Sequence, residues 1–112
     1  MKQRMRATVD RIEALMGGPT VTTVGIGPAL LDVRDIARDE GSWIRAANDG
    51  SELALQYRML MASVEIRASN VLALWPSDPP DHPAARDLSE VMVLLFRDFR
   101  YILNEGQPPK GH

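Results

Sequence analysis

Apolar side chains recur at helical spacing in four stretches of the chain, and each stretch uses a different width of helix face. In residues 3–16, Met5, Val9, Ile12 and Met16 are four, three and four positions apart, which puts them on one narrow stripe. Gly17-Gly18-Pro19 ends this helix, since Gly accepts a left-handed cap and Pro cannot continue the ladder. A stripe one side chain wide is closer to a coiled-coil seam than to a broad core face. So short a helix needs a surface to dock on, and the four residues are expected to form an interface.

Residues 20–27 read Thr-Val-Thr-Thr-Val-Gly-Ile-Gly and carry the only strand-like character in the chain. No second β-branched run is available as a partner strand. The segment is therefore expected to be extended, either laid on the helices through Val24 and Ile26 or paired with another chain through Val21 and Val24. Gly25-Ile26-Gly27 lacks both a preceding buried strand and a nearby Lys, so a phosphate-cradling loop is not expected there.

A second helix is predicted over 28–40, with Pro28 in the favoured first position and Gly41 as terminator. Leu30, Val33, Ile36 and Ala37 make its apolar face. Asp32, Asp35 and Asp39 lie opposite, but Arg34 and Arg38 stand among them and no His is near. That is a solvated, charge-compensated face rather than a cation site. Residues 42–47 form a short helical turn led by Ser42, and Asn48-Asp49-Gly50 is a turn signal before the Ser51 cap.

The third predicted helix, 52–75, is apolar on two sides. Leu53, Tyr57, Leu60, Met61, Val64, Ala68, Val71, Leu72 and Trp75 share one wide face, and Leu55, Met59, Ala62, Ile66 and Ala73 share another almost opposite. Polar strips separate them: Glu52, Gln56, Ser63, Arg67 and Asn70 on one side, Arg58, Glu65 and Ser69 on the other. Such a helix is either central to its own bundle or meets a second subunit through the thinner face. Residues 77–83 form a stiff Pro-rich loop, and a fourth helix follows over 84–104. Its broad face carries Leu88, Val91, Met92, Leu95, Phe96, Phe99, Ile102 and Leu103. Leu94 and Tyr101, seven residues apart, lie off that face as a candidate contact patch.

These patterns predict an all-α, small four-helix-type bundle, one domain over 1–106 with a short extended segment after the first helix and a Pro/Gly tail at 107–112. Composition agrees: 112 residues suit one core, and the absence of cysteine removes disulfide and thiolate chemistry. A net charge of −2 argues against general polyanion binding. The bases are eleven Arg and two Lys, a bias expected of a GC-rich bacterial or phage genome because the Arg residues are interleaved with acids rather than clustered. No apolar run reaches membrane-span length and no signal-peptide core is present, so a cytoplasmic protein, or one incorporated in a viral particle, is expected.

Catalytic, cofactor and metal residues are not expected. His82 sits in the Pro-rich loop and His112 ends the chain, neither with metal-ligand spacing, and Ser51, Ser63 and Ser69 have no base nearby. Residues 35–48 resemble the first helix and turn of repressor-type helix-turn-helix domains. They depart from that pattern at Glu40, where a small residue is expected, and at Ser42, where an apolar one is. The resemblance implies DNA binding through Arg45. The favoured expectation is a non-catalytic module that binds a second copy of itself or another protein, as a subunit or adaptor of a larger assembly. Its expected interface comprises Met5, Val9, Ile12, Met16, Val21, Val24, Leu55, Met59, Ala62, Ile66, Leu94 and Tyr101.

Overall fold

The second helix runs straight through Gly41. A computed structural model describes residues 1–17, 26–74 and 83–104, and places in them α1 (Lys2–Gly17), α2 (Ile26–Ala47), α3 (Glu52–Leu74) and α4 (Pro83–Leu103). The break expected at Gly41 does not occur because the buried stripe continues past it: Leu30, Val33, Ala37 and Ile44 all face the core. Interior Gly costs a helix only about 1 kcal/mol relative to Ala, less than a continuous apolar face recovers. The stop comes at Asn48, whose φ of 52° is the left-handed conformation that Asn tolerates. Its N–H donates to the Arg45 carbonyl at 3.2 Å.

The next start follows the expected chemistry. Ser51 Oγ accepts from the Ala54 N–H at 3.2 Å, capping α3. Asp49 Oδ1 accepts from the Ser51 N–H at 2.8 Å, which fixes the turn. At its other end α2 begins at Ile26, so Ile26 and Gly27 belong to a helix and not to the extended segment. Val21, Val24, Trp75, His82 and the tail 107–112 lie outside the described residues.

The helices pack in a ring, α1 on α2, α2 on α3, α3 on α4 and α4 back on α1, with α2 and α3 sharing the largest contact. The result is an all-α four-helix bundle, and no strand occurs among the described residues. Its core joins Met5, Ile12, Leu30, Tyr57, Met61, Met92, Phe96 and Leu103, all essentially inaccessible. The narrow stripe on α1 is thereby assigned. Met5, Val9, Ile12 and Met16 are buried inside the chain's own bundle and not offered to a partner. The physical reason is the docking requirement itself, since α1 is the fourth wall that the other three helices need. On α4 the buried stripe is narrower than the sequence pattern: Leu88, Met92, Phe96, Phe99 and Leu103 are buried, Val91 and Leu95 half-buried and Ile102 exposed.

Candidate interaction surface

α3 is embedded on one side only. Ala54, Tyr57, Leu60, Met61, Val64, Ala68 and Val71 are buried against the other helices. On the opposite side Leu55, Met59 and Ile66 are 47%, 62% and 60% exposed, with Ala62 and Ala73 exposed between and beyond them. The two sides nearly cancel, which is why α3 is the least amphipathic of the four helices. The sequence left open whether the second face is covered from within; among the described residues nothing covers it.

The flanks of this stripe are occupied by polar groups bonded to near neighbours. On the α2 side, Arg38 Nε donates to Glu65 Oε2 at 3.2 Å. On the other, Gln56 Nε2 reaches Glu52 Oε1 at 3.5 Å and Arg67 Nε reaches Ser63 Oγ at 3.2 Å. The apolar stripe between them is continuous. Leu94 and Tyr101 are also half exposed, on α4, but with the exposed charges of Arg97 and Asp98 between them. Arg45, the cation of the helix-turn-helix alternative, is exposed near the end of α2 and donates to Ser42 Oγ at 3.3 Å. That alternative needs a turn after Gly41, and an unbroken α2 does not supply one.

One polar cluster escaped the sequence reading. Glu40 projects from α2 into the bundle and is only 8% exposed. Arg4 on α1 donates to it from Nη2 at 2.7 Å and from Nε at 3.1 and 3.2 Å, and the Tyr57 hydroxyl on α3 donates at 2.6 Å. Thr8 Oγ1 donates to the Arg4 carbonyl at 3.0 Å. The Arg4 guanidinium lies 3.9 Å from the Trp43 ring centre, and the Tyr57 ring stacks on Phe99 at 5.6 Å. Three helices therefore converge on one carboxylate, and the Tyr57–Phe99 stack adds the fourth at one remove.

Burial by itself would push the Glu40 carboxyl up, but the hydrogen bonds from Arg4 and Tyr57 and the Arg4 charge outweigh it and hold the group below its usual value. Tyr57 is displaced upward, first by burial and then by donating to Glu40. Both Glu40 oxygens are filled by donors, so the group acts as a tie and is not free to serve as a base. The available signal was a carboxylate on the apolar stripe of α2, three residues after Ala37 and seven after Val33. Tyr57 lies 17 positions from Glu40 and Arg4 lies 36, so no local motif connects them.

A second tie joins α4 to α1, where Arg100 donates to Glu13 at 2.5 Å and to Asp10 at 2.6 Å. Beside it an open groove of about 400 Å³ is lined by Met16, Met92, Val93 and Phe96 together with those two acids.

Fold and surface together define a four-helix bundle in which, among the described residues, one helix face is left open. Comparison with protein-family models, curated proteins and solved structures found no match to the chain. Among the described residues no helix is long and apolar enough to cross a membrane.

Proposed function

We propose that the chain is a non-catalytic protein-protein interaction module that self-associates through the outer face of α3, as a subunit or adaptor of a larger bacterial or phage assembly. The observation that carries this reading is the continuous stripe Leu55, Met59, Ala62 and Ile66, exposed on a helix whose other side is fully packed. Single exposed apolar residues need no explanation, but a contiguous stripe between polar borders is the usual composition of an interface. The saturated state of Glu40 supports the same reading, because the most buried carboxylate among the described residues holds helices together instead of offering a reactive oxygen.

Light scattering on the purified chain tests it. The mass is expected to rise above the 12.4 kDa of one chain at tens of micromolar. Ile66→Asp is expected to return it to the monomer value with the helical circular dichroism intact. A wild-type chain that stays monomeric throughout that range would overturn the proposal.

A further inference from the structure

We infer that α3 pairs with α3 of a second copy in an antiparallel two-fold arrangement, with Arg58 of each copy against Glu65 of the other. This rests on the self-association proposed above and specifies its geometry. The outer residues Leu55, Met59, Ala62 and Ile66 are spaced four, three and four apart, and the half-buried border residue Ser69 and the exposed Ala73 continue the spacing by three and four. That is the 3.5-residue repeat of two helices wrapped around each other, and the buried side of α3 repeats with the same period through Ala54, Tyr57, Met61, Val64, Ala68 and Val71. An outer face with a core-facing period is built to meet another helix over several turns.

Charge selects the orientation. Residues next to such a seam fix direction and register more than they add affinity. On the α2 side these are Arg58 and Glu65, seven residues apart, and on the other side the uncharged Gln56, Ser63 and Asn70. A parallel pair sets each α2-side residue against the opposite border of its partner, so Arg58 meets Ser63 and Glu65 meets Asn70, with no charge paired across the interface. An antiparallel pair sets like borders together. With Leu55 opposite Ile66 and Met59 opposite Ala62 of the second copy, Arg58 and Glu65 come together on both sides of the two-fold axis. Moving the register by one heptad either way places Glu65 against Glu65, or Arg58 against Arg58. The favoured register also sets the large Met59 against the small Ala62, which lets the helices approach closely. Arg38 already holds Glu65 at this border from within the chain, at 3.2 Å.

Cysteine cross-linking tests the pairing, and the absence of native cysteine makes it clean. Prepared separately, Leu55→Cys and Ile66→Cys are expected to form no disulfide dimer. In the antiparallel register two copies of residue 55 lie about 16 Å apart along the axis, beyond the roughly 7 Å between Cα atoms that a disulfide spans. Mixed together and oxidised, they are expected to cross-link. Self-cross-linking of each variant alone, with none between them, means a parallel pair and overturns the inference while leaving self-association standing.

A charge exchange gives a second readout. Arg58→Glu and Glu65→Arg are each expected to lose the dimer seen by light scattering, and an equimolar mixture to regain it as a heterodimer. Dimers indifferent to both charges, or a mixture that stays monomeric, overturn the inference. If the wild-type chain is itself a monomer, the function proposal falls together with it.

Discussion

Replacing Tyr57 by Phe removes one oxygen from the centre of the bundle and changes little else. The ring is fully buried and stacks on Phe99 with centroids 5.6 Å apart, an arrangement that Phe preserves. What is lost is a 2.6 Å hydrogen bond to a carboxylate that is itself nearly inaccessible. A hydrogen bond to a charged group contributes about 1.5–3 kcal/mol. Glu40 keeps its Arg4 contacts at 2.7 to 3.2 Å, so the carboxylate is not stranded and the lower half of that range applies. The expected loss is about 2 kcal/mol, corresponding to a fall of roughly 6–10 °C in Tm for a domain of this size. Urea denaturation followed by circular dichroism measures it, with a lower midpoint and an unchanged slope. A change within about 0.5 kcal/mol, the usual range for a neutral surface substitution, would refute the assignment of Glu40 and Tyr57 as a tie between α2 and α3.

Three further expectations follow from the same geometry. The Glu40 carboxyl is held below its unfolded value, so its contribution is present above about pH 4.3 and is lost as pH falls through the folded value. Tyr57 is displaced upward, so its contribution is present below about pH 10 and is lost as pH rises beyond it. Stability curves for Glu40→Gln and Tyr57→Phe should lack the acid and the alkaline slope respectively; an identical slope in variant and wild type would remove the linkage. Gly41→Ala should stabilise the chain by about 0.5–1 kcal/mol, because an added Cβ would meet only the flexible end of Arg45 at 3.9 Å and the site is helical. Destabilisation in thermal melts would instead support the terminator that the sequence suggested. Ile12→Ala should cost about 2–5 kcal/mol by opening a cavity under α1, as calorimetry can show, whereas a near-neutral result would return the α1 stripe to the surface.

Much of the bundle is legible in periodicity alone. The apolar stripes of α1 and α4, the Ser51 cap and the Asn48-Asp49-Gly50 stop need only neighbours within one or two helical turns, and local spacing reports these, though on α4 it overstates the width that is buried. The two apolar sides of α3 are equally plain from residue order. What residue order cannot state is which surfaces meet. Gly41 read as a stop because local propensity favours ending a helix there, and only packing of Ile44 on the common core shows that the helix continues. The stripe on α1 and the outer stripe on α3 are both narrow and apolar. One is buried and the other exposed because a ring of four helices has room inside for only one side of each. Arg4, Glu40 and Tyr57 lie on three helices and meet only when the ring closes. The chain alone therefore determined its helices and their faces, since those depend on contacts a few residues away. Tertiary structure decided which face became core, which carboxylate became a tie, and which stripe stayed exposed among the described residues.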